Sequence, residues 1–135
     1  KYKIEVTEKQ LSVINIALEV FSRISTGQIY IAIGYVWDNI LLDRLGIKKY
    51  LYKRDKITSL CKQLTKVISD GEFDGFSGSY GIRSMKINDK AEASYNIHQV
   101  IRNQIWKENG GSKCSVDSDV CILNNEEPIK IEIVE

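Results

Sequence analysis

Between Thr7 and Gly27 one helix carries two apolar faces. Leu11, Ile14, Leu18 and Phe21 hold one face at helical spacing, and Val13, Ala17, Val20 and Ile24 hold an adjacent one. A helix apolar over so much of its circumference is either buried centrally or packed against partners on two sides. A chain of 135 residues is one domain's worth and has few other elements to cover both faces. A single domain over 1–135 is therefore expected, assembling as a homo-oligomer (a dimer or tetramer) with this helix or the last one at an interface. Thr7 caps the helix, and Gln10 three residues later completes a capping box.

The rest of the chain divides at its glycines. Ile29 to Leu45 reads as a helix interrupted near Gly34 and ended by Gly46. Lys48 to Arg54 reads as a connector, and Asp55 as the cap of a further helix with Ile57, Leu60, Leu64 and Ile68 on its buried face. Gly71 stops that helix, and Gly71 to Gly81 reads as a loop or short hairpin. Asn88 or Asp89 starts the last long helix, which ends before Gly110 and Gly111. Three segments read as strands: Tyr2 to Val6, Val120 to Leu123, and Ile129 to Val134 behind Pro128. The predicted fold class is α+β, three to four helices packed with a small antiparallel sheet that joins the N-terminal and C-terminal strands.

Charge excludes some function classes. Lys plus Arg is 19 and Asp plus Glu is 18, a net +1, which is neither a generally basic nucleic-acid binder nor an acidic tail protein. The charges are unevenly spread, with a basic stretch from Lys48 to Lys66 and an acidic one from Glu108 to Glu135. These two could attract each other, or simply form two solvated faces. No run of about 18 apolar residues exists, so no membrane-spanning helix is expected, nor a signal peptide at the start of the given sequence.

Metal and catalytic chemistry have little support. The chain has three cysteines and one histidine, too few for a Cys/His zinc pattern. Cys61 sits among Ile57, Leu60 and Leu64 as a small apolar residue. Pairing of Cys114 with Cys121 stays open, and reduced thiols in a cytosolic compartment are expected. No nucleophile elbow or metalloprotease motif occurs. Asp70, Glu72 and Asp74 are the acids a nucleotide-cleaving enzyme would have to use, although acids alternating near a loop are usually solvated. No cofactor and no enzyme activity are expected.

Binding chemistry is better represented. On the last helix Tyr95, His98, Arg102 and Trp106 follow at offsets of three, four and four, which places them on one face. Rings can stack on bases, and the planar guanidinium matches phosphate. The plainer alternative has the two rings completing the core edge and Arg102 reaching along the surface to an acid. Arg23, in the apolar first helix, needs a ligand or a partner, and Glu19 four residues earlier is the plain partner. Ser22, Ser25, Thr26 and Gln28 form a polar cluster at that helix's end. The glycine loop around Ser79 and Tyr80 could cradle an anion through backbone amides, or simply be a turn. Tyr50 and Tyr52 among four cations could grip single-stranded nucleic acid, or form an exposed basic connector.

Three strings carry a resemblance: Ser22-Arg23-Ile24-x-x-Gly27-Gln28, Ser79-Tyr80-Gly81-Ile82, and Ala93-Ser94-Tyr95-Asn96-Ile97-His98-Gln99-Val100-Ile101-Arg102 with Trp106. Together they resemble a group of small bacteriophage proteins, from Val6 to about Trp106, and through them the anti-CBASS nucleotide sponges. Ser25-Thr26 departs from the more apolar residues of that group. The resemblance implies a host-cytoplasmic anti-defence protein that sequesters a cyclic nucleotide immune signal without cleaving it. Arg23 and Arg102 would then neutralise phosphates, Tyr80, Tyr95 and Trp106 would stack bases, and Gln28, Ser79 and His98 would fix orientation. A nucleic-acid- or protein-binding module of the phage is the alternative.

Overall fold

The computed structural model describes residues 4–74, 78–82, 84–108 and 129–131, with side chains throughout except at 39–41. Its elements are α1 (Glu8–Ser25), α2 (Ile29–Ile68) and α3 (Asp89–Glu108). The start of α1 is the predicted capping box: Gln10 N donates to Thr7 Oγ1 at 3.3 Å and Thr7 N donates to Gln10 Oε1 at 2.8 Å. At α3 the capping residue is Asn88, whose Oδ1 accepts from Ala91 N at 2.9 Å.

The second element is two helical arms joined at Gly46, where φ is 68° and ψ is 163°. The chain doubles back there. Thr65 Oγ1 donates to Gly27 O at 3.3 Å, Arg54 Nη2 donates to Tyr30 Oη at 3.1 Å, and Tyr50 bonds Asp38 nearer the bend. These nested pairs make an antiparallel helical hairpin. Gly34, predicted to interrupt the first arm, continues it. Lys48 to Arg54, predicted as a connector, is helical, and Asp55 lies inside the second arm rather than capping it. Leu, Lys, Arg and Tyr all tolerate helix, and no Gly or Pro follows Gly46 in that arm to stop it.

The backbone at Gly46 belongs to a region that only glycine occupies without strain. A Cβ placed there would meet nothing within 4 Å, so a substitution is resisted by the backbone alone. Gly46→Ala is expected to cost about 1–3 kcal/mol. Thermal denaturation of the variant checks this, and an unchanged Tm would mean that the bend is not held at this geometry.

The α+β expectation is overturned: among the described residues every regular element is a helix. Ile4 to Val6 is not a strand, and Ile4 is 78% exposed. Residues 129–131 are not in a strand either, while residues 1–3, Val120 to Leu123 and residues 132–134 lie outside the described residues. Alternation alone makes a residue pattern compatible with a strand. A strand also needs an edge to pair with, and among the described residues the packed helices offer none.

The core is short of apolar side chains. Ile29, Ala32, Tyr50, Cys61, Ala91 and Ile101 are the buried apolar residues among those described, beside a larger set of buried polar ones. α1 packs against both α3 and α2, as a helix apolar on two faces suggested. Yet the side it turns inward is polar: Glu19, Ser22 and Thr26 are buried, whereas Val13 is 60% exposed and Ile16 and Ile24 are exposed too. Close approach of α1 and α3 uses small hydroxyls. Ser22 Oγ and Ser94 Oγ both donate to Leu18 O, each at 2.9 Å.

Candidate functional site

The inward side of α1 centres on Glu19, which is 6% exposed. A buried carboxylate demands partners, and it has two. Arg23 Nε donates to Glu19 Oε1 at 2.7 Å, from one helical turn further along α1. His98 Nε2, from α3, lies 2.5 Å from Glu19 Oε2 and hydrogen-bonds it. The ring's other nitrogen, Nδ1, lies 2.8 Å from Asn15 Oδ1, so both edges of the imidazole face α1.

The chain of contacts continues outward. Arg23 Nη1 donates to Gln28 Oε1, and Gln28 Nε2 donates to Ser79 Oγ at 2.9 Å. Six side chains from α1, the α1–α2 junction, the glycine loop and α3 thus form one hydrogen-bonded series. The hydrogen bond from His98 is the largest influence holding the Glu19 carboxyl down at about 2, against burial and with help from Arg23. Glu19 is therefore ionised at neutral pH, and its charge is met by groups already in place.

Four of the eight predicted site residues are members of this series: Arg23, Gln28, Ser79 and His98. Arg23 has the plain partner the sequence offered, Glu19, and its guanidinium is engaged on two sides. Asn15 was missed by sequence reasoning. Its signal was a polar row at four-residue spacing, Asn15, Glu19, Arg23, through an otherwise apolar helix.

The other four lie elsewhere. Tyr80 N donates to Thr26 O at 2.9 Å, which pins the glycine loop to the end of α1. The Tyr80 ring stands edge-on to Phe73 at 4.8 Å, and Lys86 Nζ sits 5.1 Å from its centroid. Its hydroxyl bonds Glu72, which also pairs with Lys86 at 2.6 Å. So Tyr80 is a packing residue of the loop, with its ring already in contact on both counts. The loop is tight as well: at Gly78, with φ at 95°, an added Cβ would lie 2.6 Å from the Phe73 ring.

On α3, Tyr95 and Trp106 are partly buried and Arg102 is exposed. At about 100° per residue these three fall within roughly 40° of arc, while His98 turns inward to α1. The predicted face is thus split: His98 belongs to the interior, and Tyr95, Arg102 and Trp106 form an outer row. On the same helix two buried amide oxygens lack a hydrogen-bond partner, Asn96 Oδ1 and Gln99 Oε1. Such groups are rare in native proteins and ask for a donor.

The basic segment does not form one stacking surface. Tyr50 is buried and Arg54 bonds Tyr30, while Lys56 lies 4.6 Å from the ring of Tyr52. Among the described residues no group of three His, Cys, Asp or Glu side chains could hold a metal ion, and no helix is long and apolar enough to cross a membrane. Two open grooves, about 580 Å³ along the end of α2 and about 420 Å³ between α1 and α3, are lined by none of the eight predicted residues. No protein-family model matches the chain, and no curated protein or solved structure matches it.

Proposed function

We propose that the chain binds a cyclic nucleotide signal and sequesters it without cleaving it, acting in a bacterial host's cytoplasm as the resemblance to small phage proteins implies. The observation that carries this is the outer row of α3: an exposed arginine that shares a helix face with two part-buried aromatic rings. A guanidinium suits phosphate and rings suit base faces. Arg102, Tyr95 and Trp106 touch the ligand in this reading. Arg23, Gln28, Ser79 and His98 are positioning residues that fix α1, the loop and α3 relative to one another.

Calorimetry against cyclic dinucleotides, cyclic trinucleotides and cyclic ADP-ribose variants tests it. A charge-assisted hydrogen bond contributes about 1.5–3 kcal/mol, so Arg102→Ala is expected to weaken binding about ten- to a hundredfold. Arg102→Lys recovers only part, because an ammonium lacks the fork. Ligand released by denaturing the protein is expected to be intact by chromatography. A hydrolysed or linearised product, or an Arg102→Ala protein that binds normally, overturns the proposal.

A further inference from the structure

Helix α1 is amphipathic in the wrong sense for a free-standing protomer. At about 100° per residue, Asn15, Glu19, Ser22 and Thr26 centre on one side, and Val13, Ala17, Val20 and Ile24 centre on the opposite one. The polar side is the one turned into the protomer, where Glu19, Ser22 and Thr26 are buried. The apolar side faces out, with Val13, Ile16, Phe21 and Ile24 all exposed and Ala17 exposed among them. Next to this stripe runs the groove of about 420 Å³ between α1 and α3, lined by Ile14, Phe21, Ala93 and Ile97 among others.

We propose that this outward stripe is the contact surface for a second copy of the chain, with α1 packed antiparallel on its counterpart about Ala17. Three observations select a second copy. The stripe has little charge to meet a polar partner or an anionic lipid surface: the cations of α1 are Lys9, at its first turn, and Arg23, which is bound to Glu19, and Lys90 lines the adjoining groove. The stripe is self-complementary. A two-fold axis at Ala17 sets Val13 opposite Phe21 and Ile14 opposite Val20, so the centre of the stripe is apolar on both sides, with Ile24 facing Gln10 at its end, and the small Ala17 side chains let the backbones approach. Third, the described residues bury few apolar side chains among themselves, so the stripe gains from a cover that is always at hand, as another copy is.

Sedimentation without any nucleotide tests this, so its outcome is independent of the binding proposal. The native chain is expected to be a dimer, or an assembly of dimers, at micromolar concentration, with a Tm that rises with protein concentration. Val13→Asp and Phe21→Lys chains are each expected to lose the dimer. Mixing the two is expected to restore it, because the antiparallel pairing sets the new carboxylate beside the new ammonium. If either variant is unfolded alone, a mixture that folds as a dimer carries the same meaning, read by circular dichroism. A monomeric native chain overturns the proposal, as do single variants that stay dimeric, or a mixture that neither pairs nor folds. A native chain that stays monomeric yet floats with phosphatidylglycerol vesicles would assign the stripe to lipid instead.

Discussion

A Glu19→Ala protein is expected to lose about 1–3 kcal/mol of folding stability, the cost of leaving buried His98 and part-buried Arg23 without their hydrogen-bond acceptor. The deletion leaves the His98 ring edge without its carboxylate in a 7%-exposed site, and it frees Arg23 from the contact that orients it toward Gln28. The burial of His98 makes the loss larger than for a surface pair, where an ion pair contributes roughly 0–1 kcal/mol. Glu19→Gln keeps the shape and one acceptor, so it should fall between the native protein and the alanine variant. Urea denaturation measures all three. A midpoint that moves by the equivalent of less than about 1 kcal/mol in Glu19→Ala would show that the series behaves like an ordinary surface pair.

What the sequence reveals of this arrangement depends on how local the cause is. Thr7 and Gln10, or Asn88 at the start of α3, bond within one turn, so spacing alone finds them. The Glu19–Arg23 pair is legible for the same reason, at four residues' separation. His98 is different. Its offsets from Tyr95 and Arg102 place it on their face, but whether it points to solvent or to α1 is decided by Asn15 and Glu19, more than seventy residues away. The predicted sheet fails on a similar point. Alternation in Ile129 to Val134 is local, whereas a partner strand is a property of the whole fold. The basic segment after Gly46 is predicted as a connector because the glycine reads as the end of a helix. Its residues are ordinary helix formers, and Tyr50, buried against the first arm, ties them down.

The inverted helix was half legible. Two apolar faces on α1 announced that more than one neighbour would be needed. Composition could not say which side the protomer itself would use, and it uses the polar one. That choice follows from where partners exist. The hydroxyls of Ser22 and Ser94 and the ring of His98 offer α1 and α3 satisfied polar contacts at close range.

Acid is expected to unfold the protein through the same carboxylate. The Glu19 carboxyl is held at about 2 in the folded chain against an ordinary value of 4.5, chiefly by the hydrogen bond from His98. A carboxyl depressed on folding binds its proton more readily in the unfolded chain, so falling pH favours unfolding. Its stabilisation is complete above the ordinary value, declines from there as pH falls, and is gone below about 2. A depression of this size corresponds to about 3 kcal/mol, at roughly 1.36 kcal/mol for each tenfold change in proton affinity. Chemical denaturation at a series of pH values reads this as a falling midpoint between those limits. The Glu19→Ala chain provides the internal comparison: it begins less stable at neutral pH and should lose distinctly less over the same interval, so the two curves converge in acid. Parallel curves would mean that other carboxylates carry the acid response and that Glu19 is not held by His98 as described.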